Sequence, residues 1–401
     1  MKPLFYRKIL KNGMTVIFEK RNNPVISMAF AARCGGINES LSEKGISHFI
    51  EHLLYKGTKK RSAKKIAEEI EKNGGYLNGF TDESLTAYYC KIPSKHFALA
   101  FDVLCDMVKN PLFDEEEIQK EKQVIFEEIK MYQDNPSRYV IQEIHKFLYK
   151  KPFGEPLIGT EKILTSLTRK KIIHRFQKIY QPNNLILCIV GDMNFKKIVQ
   201  LVEQNFGTKK GKVPKFKIVK KNASKTEKRK DIDQANLAFA YHVPTTRDKK
   251  NYAAFVLNTL MAGGLSSRLF QEIREKRNLA YAVKGESNIS KDFAYNLIYV
   301  GTKKENVNSV KKIILEEFRE VSQKLTEEEL SSVKEQIIGN HQISIEDSQY
   351  QMANLLLYEI NGNAKNLYDF EKNILNVNLE DVKELAKEPA KKHSFFVLVP
   401  K

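Results

Sequence analysis

Gly45-Ile46-Ser47-His48-Phe49-Ile50-Glu51-His52-Leu53-Leu54-Tyr55-Lys56-Gly57 is the stretch from which the rest of the chain is best read. At about 100° per residue, Ile46, Phe49, Ile50, Leu53 and Leu54 share one helical face, while His48, Glu51, His52 and Tyr55 gather on the other. The two histidines are one turn apart, so a helix stacks their rings closely enough to hold one cation between them. Glu51 flanks the pair without having to join it.

The order HxxEH is the mirror of HExxH and matches the inverzincin metalloprotease signature. A metal site of this kind needs a third ligand. The spacing predicts a long helix from Asp114 to Gln133, with Ile118, Val124, Ile125, Ile129 and Tyr132 on its buried stripe. Glu121 and Glu128 fall within that stripe, and Glu127 points to the opposite side. Burying two ionised carboxylates costs several kcal/mol each unless a cation or donors answer them. Glu128 is therefore read as the third ligand, and Glu121 as the partner that fixes a ligand imidazole or the ligand helix.

Working outward, the chain has 401 residues, enough for two domains with a core each. No apolar run reaches the roughly 18 residues of a membrane span, and Met1 to Arg7 opens no signal-peptide h-region. The cytoplasm is the expected location, with no membrane partner. Cys34, Cys90, Cys105 and Cys188 lie far apart in apolar segments and read as buried reduced thiols. The net charge is +18, but the lysines are spread among glutamates without a nucleic-acid motif, so no nucleic-acid partner is expected.

The first half reads as a hairpin about Asn12-Gly13, a strand from Val25 to Arg33, the HxxEH helix, and a second helix capped by Ser62. Strands through Tyr76 to Ile92 follow, then long helices and a buried strand from Leu185 to Val190. After a lysine-dense stretch with Pro214, a similar order of elements returns, which suggests a diverged second copy without the histidines. The expected domains are 1–207, carrying the metal site, a basic linker 208–230, and 231–401, serving substrate binding.

HFIEH, with Glu128 inside Glu121-Lys122-Gln123-Val124-Ile125-Phe126-Glu127-Glu128, resembles the pitrilysin/insulinase family of zinc metallopeptidases. The likeness is to its short bacterial members and the β-subunit of the mitochondrial processing peptidase. Further matches are Gly74-Gly75-Tyr76-Leu77-Asn78, Pro152-Phe153-Gly154-Glu155-Pro156-Leu157-Ile158-Gly159-Thr160, Tyr180-Gln181-Pro182-Asn183-Asn184, and Ser267-Arg268-Leu269-Phe270 leading to Arg274 and Tyr281. The family pattern usually has Ala and Glu where this chain has Gly79 and Ser84.

The resemblance implies an α+β fold of two homologous domains, each a mainly antiparallel sheet backed by helices, facing across a chamber. It implies one Zn²⁺ per chain on His48, His52 and Glu128, with Glu51 as the base that takes a proton from the attacking water. Arg274 and Tyr281 match the family's substrate-binding pair, and Asn78 is expected to line the cleft for a peptide substrate. Short members are usually dimers, so a homodimer is expected. The alternatives are a non-catalytic assembly subunit and a half-enzyme requiring a different partner chain.

Overall fold

The computed structural model describes residues 4–401, which divide into two compact units. The first unit holds a six-stranded sheet built from β1 (Leu4–Ile9), β2 (Thr15–Lys20), β3 (Val25–Ala32), β4 (Tyr76–Thr81), β5 (Thr86–Pro93) and β6 (Leu185–Gly191). Its order is β1-β2-β6-β3-β5-β4, antiparallel except for the parallel β2–β6 pair. Every residue of β6, and β3 from Ile26 to Ala32, is buried. Strands buried on both faces need a layer on each. The helices α1 (Ile46–Leu54), α2 (Ala63–Glu71) and α3 (Phe97–Lys109) belong to this unit, as does α4 (Glu115–Asp134) through Ile129.

The remaining cover comes from far along the chain. Helix Ser348–Asn361 packs on β3 and β6 within the same unit, with Met352, Leu355 and Leu356 buried. Ser348 and Ser27 hydrogen-bond through their hydroxyls at 2.8 Å. Glu359 receives Arg7 Nε at 2.7 Å and Arg33 Nη2 at 2.9 Å. Those two arginines hold its carboxyl below the usual range, although burial pushes the other way.

A depressed native pKa contributes stability above about 4.5, the unperturbed value, that disappears as pH falls through the lower native value. Glu359→Ala is expected to cost about 2–3 kcal/mol in urea unfolding at pH 7, at the low end for a broken buried pair because the arginines reach water. The loss should shrink below pH 4.

The second unit holds a five-stranded sheet of β7 (Ser224–Arg229), β8 (Ala235–His242), β9 (Ala280–Ile289), β10 (Ala294–Thr302) and β11 (Ser394–Pro400). Its order β7-β11-β8-β10-β9, with only β7–β11 parallel, repeats β2-β6-β3-β5-β4 of the first sheet. The duplication expected from the sequence is therefore present, each sheet backed by helices.

Two sequence expectations need correction. Within the basic stretch 208–230, Ser224 to Arg229 is not a tether but β7, the counterpart of β2. Its charged, largely exposed side chains suit an edge strand and disguise it as a linker. The compact units also cross the linear division into 1–207 and 231–401, because 344–367 packs with the first and 130–156 with the second.

All four cysteines are free and buried, as read. No helix among the described residues is long and apolar enough to cross a membrane.

Candidate metal centre

α1 forms where its pattern places it, with Ile46, Phe49, Ile50, Leu53 and Leu54 buried. Gly45 precedes it at φ +94°, where an added Cβ would come within 2.6 Å of the Ile158 carbonyl oxygen. The free N–H groups at this end are met by Glu39, which accepts from Gly45 N at 3.0 Å and Ser47 N at 2.7 Å. A buried carboxylate at a helix N-terminus satisfies orphan donors and complements the dipole, which fixes the helix that carries the histidines.

α4 presents Glu121 and Glu128 to that helix. Ile118, Glu121, Ile125 and Ile129 are buried and Glu127 is exposed, as its phase requires. Val124 departs from the expected stripe and is 48% exposed, while the neighbouring Lys122 is buried in its place. Tyr132, at the end of the expected stripe, is half-buried, and so is Glu128.

His48 Nε2 and His52 Nε2 each lie 3.7 Å from Glu128 Oε2. The three ligand atoms are all within 4.8 Å of one another, the only such His/Cys/Asp/Glu group among the described residues. A separation of 3.7 Å is long for a hydrogen bond. Ligands of a tetrahedral zinc ion, with bonds of about 2.0–2.1 Å, stand about 3.3 Å apart, so a small contraction suffices. His52 Nδ1 meets Glu121 Oε2 at 3.1 Å, and Lys56 Nζ holds the other Glu121 oxygen at 2.5 Å. This is the carboxylate–histidine arrangement that orients a ligand ring with Nε2 towards the metal. The donor set fits zinc.

Charge follows the packing. Burial, helped by His52, pushes His48 down to about 3, so that ring is neutral and ready to ligate. Burial opposes charge on His52 too, but the Glu121 hydrogen bond and the surrounding carboxylates outweigh it and raise the ring's pKa. Burial raises Glu128, with His52 opposing, and holds Glu121 up less than its bonds to His52 and Lys56 pull it down. Glu51 is buried, and its Oε2 accepts from Thr81 Oγ1 on β4 at 2.6 Å. Burial, with repulsion from Glu128, raises its carboxyl.

The other expected residues lie elsewhere. Asn78 is exposed on β4, its Oδ1 accepting from Gly79 N at 2.8 Å. Arg274 and Tyr281 belong to the second unit. Arg274 sits on a π-helical turn, Phe270–Glu275, its guanidinium 4.8 Å from the Phe270 ring centre. Tyr281 is the second residue of β9, 47% exposed, with its hydroxyl 3.3 Å from Asn236 Oδ1. Three contributors escaped the sequence: Glu39, Thr81 and Lys56. Nothing local marks them, although a carboxylate shortly before a glycine-led helix is a signal for the first.

Comparison with known proteins adds to this geometry. The profile of Insulinase (Peptidase family M16) matches residues 15–161, and that of the Peptidase M16 inactive domain matches 166–337. A Rickettsia felis protein named "Uncharacterized zinc protease" is 34% identical over 357 residues, 88% of this chain and 86% of its own. The Bacillus subtilis "Uncharacterized zinc protease YmxG" is 33% identical over 393 residues, 95% of each. A solved protease from Helicobacter pylori shares the fold at TM-score 0.92 and 22% identity, covering 99% of this chain and 100% of that one. A peptidase M16 inactive domain from Pseudomonas fluorescens does so at 0.89 and 19%, covering 99% and 98%.

Matches along both halves, with a ligand cluster that fits one zinc ion, define the class as a metallopeptidase. The chain belongs to the insulinase family, peptidase family M16.

Proposed function

We propose that the chain is a zinc-dependent endopeptidase acting in the cytoplasm on peptides or unfolded segments, as a homodimer whose domains enclose the substrate in a chamber. The observation that supports this most is the convergence of His48, His52 and Glu128 with a buried, unligated glutamate on the same helix. His48, His52 and Glu128 would hold the ion. Zinc, when bound, acts as a Lewis acid on a peptide carbonyl and lowers the pKa of water towards about 7.

The chain's own residues do the rest. Thr81 holds Glu51 Oε2, which leaves Oε1 to take the proton of the attacking water. The water oxygen bonds to the peptide carbonyl carbon, the C–N bond breaks, and the same proton passes from Oε1 to the leaving amine. β4 is the outer strand of its sheet and carries Asn78 and Thr81. An extended substrate can add to it through main-chain bonds, which places the peptide beside α1. Arg274 and Tyr281 are proposed to bind substrate and to support the developing oxyanion, from one chain to the zinc site of its partner.

Purified protein incubated with a peptide library tests the reading. Internal cleavage abolished by a chelator and restored by zinc is the expected outcome. Cleavage indifferent to chelation, or none with zinc present, contradicts it.

A further inference from the structure

A feature beside Glu51 combines two unfavourable choices. Gly79 lies in the middle of β4. Glycine inside a strand is destabilising relative to alanine and marks a close approach. The approach is that of Tyr55, the residue that closes α1: a Cβ at Gly79 would stand 2.6 Å from Tyr55 Oη, 2.9 Å from Ala87 O and 3.1 Å from Glu51 Oε1. Tyr55 Oη is buried and has no hydrogen-bond partner among the described residues. A buried hydroxyl without a partner is destabilising, and phenylalanine at the same position would avoid that cost. Both choices centre on the small space bordered by Oη and Glu51 Oε1.

We propose that Tyr55 is a positioning residue for Glu51: its hydroxyl, admitted by the bare Cα of Gly79, borders Oε1 and confines the carboxylate to the orientation in which Thr81 holds Oε2. Tyr55 and Gly79 thus form a matched pair, in which the hydroxyl fills the space that a methyl group at residue 79 would take. The rest of the phenol is braced, its ring 6.1 Å from that of Tyr88, whose own hydroxyl bonds Tyr180 at 2.7 Å. The Tyr55 hydroxyl borders Glu51 and makes none of the substrate contacts proposed above, so removing it acts on turnover.

This rests on Glu51 moving the proton. Tyr55→Phe, Gly79→Ala, the double variant and Glu51→Gln are compared for kcat, KM and zinc content, on a peptide the parent cleaves. Tyr55→Phe is expected to lower kcat about tenfold with KM and zinc content unchanged, since misplacing a catalytic group by a fraction of an ångström costs this much. Gly79→Ala is expected to lower kcat further, and adding Tyr55→Phe to it to recover kcat to about the level of Tyr55→Phe alone, the coupling of residues in contact.

Effects that multiply, or a Tyr55→Phe enzyme with parental kcat or with only KM altered, overturn the pairing. If Gly79→Ala does not fold, a double variant that folds and matches Tyr55→Phe still supports the pair, and one that fails as well overturns it. An active Glu51→Gln enzyme removes the underlying reading. An inactive Glu51→Gln beside a silent Tyr55→Phe removes this inference alone.

Discussion

Replacing Glu51 with glutamine is expected to lower kcat by about a thousandfold, within the range for losing a general acid–base, while zinc stays bound at one ion per chain. The amide keeps the shape of the carboxylate and can still meet Thr81, so α1 and its ligands are undisturbed. What it loses is the capacity to accept a proton from water and return it to the leaving amine. If the residual activity exceeds a tenth of the parental value, Glu51 is not the base. The same variant separates two architectures. Glu51→Gln chains mixed with Tyr281→Phe chains should recover roughly one working site per mixed dimer if Tyr281 serves the partner's zinc. Mixtures no better than the separate variants would place substrate binding and chemistry in one chain.

The second large effect concerns metal retention. Glu128→Ala removes the one carboxylate 3.7 Å from both imidazoles and should abolish stoichiometric zinc together with cleavage. Glu121→Gln leaves all three ligands and removes only the charge behind His52 Nδ1, so zinc affinity should fall about 10–100-fold. The two variants differ again with pH. Ligands must be deprotonated to bind, so protons compete with zinc, and apparent zinc affinity declines once pH falls below the raised pKa of His52. Glutamine at 121 takes away the largest influence raising that pKa, so the variant's zinc affinity, lower at neutral pH, should begin its further decline at a lower pH than the parent's. Metal content by atomic emission across a dialysis series reads both. An unchanged affinity in Glu121→Gln would deny it any part in holding the ligand ring.

The sequence revealed most about the site where side-chain phase and charge cost coincide. His48, His52 and Glu128 could be chosen because a helix has a fixed period and an ionised carboxylate on a buried stripe needs a reason. Thr81 and Glu39 could not, since they reach α1 from β4 and from the turn before it, and a hydrogen bond between distant segments leaves no periodic trace. The fold was legible in the strands whose apolar runs mark burial, β3 and β6 above all. β7 was hidden by lysines, which an edge strand tolerates because one row of its side chains faces water. Which sheet the helix Ser348–Asn361 covers depends on contacts such as Glu359 with Arg7 and Arg33, which local pattern does not encode. Gly79 was noticed as a departure, and only its approach to Tyr55 gives it meaning.

Peptidase chemistry in this chain depends on one ion bound where two imidazoles and a carboxylate approach each other. Anomalous diffraction from zinc-soaked crystals, collected on either side of the zinc absorption edge, examines that directly. A single strong peak within bonding distance of His48 Nε2, His52 Nε2 and Glu128 is the result predicted. Three side chains turned away from one another, or a peak elsewhere with none between them, would contradict it.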